Sequence, residues 1–277
     1  MSITNAAASG VTVAAPNGLR NNDAVGVIID RLTFTSPVNN SQVTGRNCLH
    51  VSLRYKGLPL TNGWVPVGAF CPVVNERLDT KVNAVTLSKP LYLGPNEWID
   101  VSVTNPLGVG IAATTGFVVN AQGHFADPPR EKWLPYFSHF MGAARDGSSN
   151  AVFAEASTPQ DLGNPFPDRP LIIERLIGRV ALATAAAGPY TLFSPNAGWL
   201  PFNLRISDDQ SRWWIQTPAP IHIAMNSLTR AWRLNYALPP SSFLRVEVEG
   251  TATWTSNANV PQFGIPIVGM VGYRRIG

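Results

Sequence analysis

Residues 93–103 read LGPNEWIDVSV, and residues 238–248 read LPPSSFLRVEV. At an offset of 145 residues, Leu93 lies over Leu238, Pro95 over Pro240, Trp98 over Phe243, Ile99 over Leu244, Val101 over Val246 and Val103 over Val248. In each copy a proline turn leads into strict alternation. Ile99, Val101 and Val103 oppose Asp100, Ser102 and Thr104, and Leu244, Val246 and Val248 oppose Arg245, Glu247 and Glu249. A period of two over this length marks a β-strand with one buried face. A second echo keeps nearly the same spacing. Ile28-Ile29-Asp30-Arg31-Leu32 recurs as Ile172-Ile173-Glu174-Arg175-Leu176, at an offset of 144. Two matched segments in the same order point to a duplicated unit.

The totals agree with two domains. A chain of 277 residues is long enough for two units of ordinary size. At 45% hydrophobic residues, each half can bury a core. Charged residues are only 14%, well below the roughly 25% of an average soluble protein, which hints at surface covered by other chains. The 23 Gly and 24 Pro suit many short strands and argue against long helices. A net charge of +4 without any Lys/Arg run gives no nucleic-acid signature, and no sequence-specific nucleic-acid partner is expected. Basic residues after Lys132 are all Arg, a side chain favoured at interfaces. Cys48 and Cys71 read as free buried thiols rather than a disulfide framework. The first residues lack a basic segment followed by an apolar core, so no signal peptide is expected, and no apolar run is long enough for a membrane helix.

Taken in order, residues 1–23 are small and polar and predict a flexible N-terminal arm, disordered or lying on a neighbour. Strands are expected over 25–35, 49–55, 64–74, 81–87, 98–104 and 116–122, making a first unit at 24–126. Residues 127–169 look like a linker. Within it Trp133, Phe137, Phe140 and Met141 fall at i, i+4, i+7 and i+8, a spacing that predicts a helix over 132–143, with Pro135 in its first turn. Residues 148–167 read as irregular. A second unit at 170–277 has expected strands over 171–182, 202–206, 213–215, 221–225, 231–236, 243–249 and 265–273. The fold class is therefore all-β, two tandem antiparallel sandwiches with a short linking helix.

Catalytic chemistry is sparse. His50, His124, His139 and His222 form no metal-binding pair, so each reads as a structural histidine. No nucleophile elbow, phosphate loop or dinucleotide fingerprint occurs. Asp208-Asp209 reads as a turn with too few oxygen ligands for Ca²⁺, and Glu247 with Glu249 as a solvated strand face. No enzyme activity, cofactor or metal is expected. Among eight tryptophans, the neighbours Trp213 and Trp214 must point to opposite faces of a strand, so one leaves the core. Such a side chain suits a subunit interface better than a sugar platform. The candidate assembly residues are Trp133, Phe137, Phe140, Met141, Trp213 and Trp214.

Two fused sandwich units, a linker, a small-residue arm and no catalytic site resemble the double jelly-roll major capsid proteins of tailless, often membrane-containing icosahedral phages and of the adenovirus-hexon lineage. The likeness spans residues 25–277 and rests on the two repeated segments and the architecture. It implies eight-stranded jelly rolls, a homotrimer that imitates a hexagon, and a place in the virion capsid after synthesis in the host cytoplasm. It also implies neighbouring capsomers, penton or minor capsid proteins, and an internal membrane as partners. A carbohydrate- or receptor-binding β protein such as a virion spike is the alternative from another class. A two-jelly-roll enzyme would need clustered acids between the copies, which the sequence does not supply.

Overall fold

The computed structural model describes residues 2–3, 12–35, 48–66, 83–104, 117–141, 145–146, 160–183, 191–192, 202–220, 231–250 and 263–276. All elements among them are strands, in an arrangement consistent with two jelly rolls. The expected strand at 221–225, the ends of those at 64–74 and 81–87, and Cys71 lie outside the described residues. The chain divides into two compact units. Unit 1 comprises Met1–Val43, Asn47–Ser138 and Val271–Gly277, and unit 2 comprises Thr44–Arg46 and His139–Met270.

Unit 1 holds β1 (Ser2–Ile3), β2 (Thr12–Arg20), β3 (Val27–Thr35), β4 (Cys48–Tyr55), β5 (Leu58–Pro66), β6 (Asn83–Leu93), β7 (Trp98–Thr104), β8 (Phe117–Phe125) and most of β9 (Lys132–Met141). One sheet runs β1-β8-β3-β6, and β5-β4-β7-β2 run side by side in the other. Lys56 and Gly57, both with positive φ (50° and 78°), make the two-residue turn between β4 and β5, the chirality that matches strand twist.

Unit 2 holds β10 (Arg145–Asp146), β11 (Gln160–Gly163), β12 (Leu171–Ala183), β13 (Thr191–Leu192), β14 (Phe202–Asp208), β15 (Trp213–Pro220), β16 (Ala231–Leu238), β17 (Phe243–Gly250) and the first part of β18 (Phe263–Ile276). Its four-stranded sheet runs β11-β17-β14-β15, and β12 lies between β16 and β18. This is the order of unit 1 again. β2, β7, β4 and β5 correspond to β11, β17, β14 and β15, while β8-β3-β6 corresponds to β18-β12-β16.

The repeated sequence becomes repeated packing. Ile99 and Val101 are 0% and 1% exposed, and Leu244, Val246 and Val248 are 0–2%, while their alternate neighbours stay open. Each such side chain contributes roughly 1.5–3 kcal/mol by leaving water. The second echo places a bulge at the same point in both units, between Ile29 and Arg31 and between Ile173 and Arg175. At the first of these β3 pairs Ile29 with Leu91 and Arg31 with Thr86, so residues 87–90 of β6 are looped out. Strands that end a sheet carry prolines that cannot donate to a further strand: Pro16 in β2 and Pro218 and Pro220 in β15.

Three expectations are corrected. Residues 132–141 form β9 and not a helix; Thr61 and Asn62 of β5 pair in parallel with Phe137 and Ser138. Four consecutive residues, Leu134 to Phe137, are buried, so the apolar run serves a strand covered on both faces, for which helical spacing is no guide. Pro135, tolerated at one turn of a helix, removes one donor here instead. The segment 127–169 is not a separate linker, since β9 joins unit 1 while β11 pairs with β17 in unit 2. Nor is the small-residue arm unattached: Ser2 and Ile3 pair with β8, and β2 pairs with β7 from Thr12↔Thr104 to Arg20↔Trp98. Small side chains bury little area, yet the backbone of an edge strand is held by its ladder.

Candidate functional site

In unit 1 the chain leaves β2 at Asn21, which is 6% exposed. Its amide nitrogen donates to the carbonyls of Val25 (2.9 Å), Leu93 (3.3 Å) and Gly94 (3.1 Å), and its side-chain oxygen accepts from the Asp23 N–H at 3.1 Å. Asn164, 7% exposed, leaves β11 in the same way. It donates to Arg169 (3.0 Å), Leu238 (3.1 Å) and Pro239 (2.9 Å) and accepts from the Phe166 N–H at 2.9 Å. Main-chain bonds repeat too, Asn21 N–H to Glu97 and Asn164 N–H to Ser242. Both clasped turns follow the type II pattern, with Pro95 or Pro240 second and Asn96 or Ser241 third, each at φ 59°. Asparagine suits the place because one amide offers two donors and an acceptor.

Unit 1 adds a charged brace. Glu97 accepts from the Tyr55 hydroxyl and the Gly94 N–H, both at 2.7 Å, and pairs with Lys56. Burial alone would raise the Glu97 pKa, but the bonds from Lys56, Tyr55 and Gly94 outweigh it and the carboxyl stays below its usual range. Burial, with Glu97 beside it, pushes Tyr55 well above the usual phenol value. Unit 2 has Ser242 at the matching position and braces itself elsewhere. The side chain of Asp208 accepts from the N–H groups of Gln210 (3.0 Å) and Arg212 (2.9 Å) and from Arg212 Nε (2.7 Å). Asp208-Asp209 is thus the turn expected from the sequence.

The candidate assembly residues separate into core and surface. Phe137 is 4% exposed and belongs to the core of the chain itself. Trp133 is half-buried, with Tyr273 edge-on at 5.3 Å and the Lys89 ammonium 5.2 Å from both rings. Lys89 comes from the looped-out residues of β6, and Lys132 stands over Tyr92 at 5.3 Å. Phe140 and Met141 lie in β9, and their side chains are outside the described residues. Trp213 and Trp214 do oppose each other. Trp214 is half-buried with Tyr236 at 4.6 Å and Trp232 at 6.1 Å, both edge-on, whereas Trp213 is 41% exposed with Arg205 over its ring at 5.9 Å. Next to Arg205, Arg245 forms a two-bond pair with Asp161 (3.0 and 3.1 Å) and covers Phe243.

Sequence reasoning passed over Val25, Trp98 and Phe125, which are exposed apolar side chains of unit 1 at 50%, 41% and 64%. Trp98 was legible, because alternation puts it opposite Ile99. Val25 lies in the bend before β3 and Phe125 is the last residue of β8, where period two gives no direction.

No protein-family model matches the chain, and neither does any curated protein. Among solved structures it is similar to the major capsid protein P2 of bacteriophage PM2, at 10% identity and a TM-score of 0.42, covering 100% of this chain and 98% of that one. It is also similar to a chain of an archaeal virus structure described by its triple jelly-roll fold and turret assembly, at 12% identity and a TM-score of 0.26. A chain of Sulfolobus Turreted Icosahedral Virus matches at 11% identity, again with a TM-score of 0.26. The present chain covers 59% of each of these two archaeal virus chains.

Proposed function

We propose that this chain is a structural virion protein, the major capsid protein of an icosahedral shell, acting as a pseudo-hexameric homotrimer. One observation carries the reading: a single chain holds two sandwich units with the same strand order, a bulge at the same point and the same asparagine clasp. Three such chains supply six similar wedges, and a closed threefold ring of them leaves no free end for uncontrolled growth. Prolines on strands that end a sheet favour contacts through side chains and loops over strand addition. Exposed Trp213 with its covering Arg205 is the best-placed of the candidate contacts, since aromatic and arginine side chains dominate interface energetics. Neighbouring capsomers, penton or minor capsid proteins and an internal membrane are the partners of this reading.

Light scattering of the purified protein over a range of concentrations tests it. The expected mass is three times the 29.9 kDa chain, or a larger shell. A monomer at every concentration overturns it.

A further inference from the structure

Where the two units differ at equivalent positions, one holds what the other lacks. In unit 1 a groove of about 450 Å³ opens beside the clasp, with Leu19, Val27, Ile29 and Leu93 as its apolar wall and Asp23 and Ala121 among its other lining residues. The counterparts in unit 2 are fixed by strand pairing and by the clasp: Leu162 for Leu19, Leu171 for Val27, Ile173 for Ile29 and Leu238 for Leu93. All four are 0–3% exposed. In unit 1 Leu19 and Val27 are only half-buried. The position that distinguishes the units is the second after the asparagine. Its N–H bonds the asparagine oxygen in both, but it is Phe166, 1% exposed, in unit 2 and exposed Asp23 in unit 1.

We propose that the unit 1 groove is an acceptor for an aromatic side chain presented by a Pro-Phe step of a partner polypeptide, taking the place that Phe166 takes within unit 2. The step Pro165-Phe166 shows the form of the occupant: a Pro-Phe step whose ring is withdrawn from water. The volume is in the range of ligand sites, larger than one benzyl group, and so leaves room for flanking backbone. Arg20, Asn22, Asp23 and Asn120 are polar residues of the lining, able to pair with the backbone of such a segment. Val25 and Phe125 stand exposed near it, Phe125 in register with the groove residue Val27. This inference goes beyond the capsid reading and does not depend on it.

The test uses the full chain and the peptide acetyl-Pro-Phe-amide, with acetyl-Pro-Ala-amide as control, read by saturation-transfer NMR on the peptide. The wild type should transfer saturation to the phenyl ring and give no comparable signal on the alanine peptide. Asp23→Phe should fill the groove from within, raise Tm and abolish the ring signal. Ala121→Trp, from another lining position, should abolish it as well and decides the matter if Asp23→Phe does not fold. No ring signal in the wild type, or an undiminished signal in either folded variant, overturns the proposal.

Discussion

Replacing Asn164 by Asp changes one atom group and should expose how much of unit 2 depends on the clasp. The amide of Asn164, a residue only 7% exposed, donates to three carbonyls at 2.9–3.1 Å. A carboxylate there would face those oxygens with no hydrogen, so the group must take up a proton on folding. Protonated, it restores one donor of two, and the loss is about 1 kcal/mol, the worth of an ordinary hydrogen bond. The sign of the pH effect follows from the raised carboxyl pKa. Below the unfolded value near 4 the proton is already present, and above it stability falls by about 1.4 kcal/mol per pH unit until the folded pKa is passed. At pH 7 the deficit should therefore be about 3–5 kcal/mol. Urea unfolding of wild type and Asn164→Asp at pH 4 and pH 7, followed by tryptophan fluorescence, measures both terms. Asn21→Asp should behave alike in unit 1. A deficit under about 1 kcal/mol at pH 7, or one that does not shrink in acid, refutes the reasoning.

Three further outcomes are expected. Gly123→Ala should cost about 2–4 kcal/mol in chemical denaturation, because a Cβ at that position would sit 1.8 Å from the Ile28 carbonyl oxygen on the paired strand. Phe137→Ser should lower thermal stability outright, by about 3–5 kcal/mol, whereas Trp213→Ser should leave Tm nearly unchanged and raise the concentration at which trimers dissociate. Burial acts to raise the Asp208 pKa, but the Arg212 and Gln210 N–H groups and the Arg212 guanidinium prevail and hold it low. Its stabilisation is thus present above the unfolded value near 4 and is lost as pH falls through the lower folded value, so Asp208→Asn should show a flatter acid limb than wild type.

The strands that alternate cleanly were legible from sequence. Residues 98–102 and 243–248 bury one face and leave the other open, so period two reports them directly, and the repeat of one segment in the other carried the two-unit organisation. Residues 132–141 misled for the opposite reason. With Leu134 to Phe137 all buried, the strand has no exposed face to set a period, and the large aromatics at helical spacing were an accident of a continuous apolar run. The clasp was hidden because its partners are backbone carbonyls 72–75 residues away, which leave no mark on side-chain pattern. One signal did exist: Asn21 and Asn164 are 143 residues apart, two short of the spacing of the long repeat. The interface candidates split because hydrophobicity alone cannot separate a side chain buried in its own chain, such as Phe137, from one left exposed on it, such as Trp213.

The claim that three duplicated chains imitate a hexagon is tested most directly by electron microscopy of the purified oligomer viewed down its symmetry axis. Class averages should show six lobes in a ring, alternating between two slightly different shapes under threefold symmetry. Rings of three lobes, or isolated two-lobed particles at all concentrations, would contradict the account.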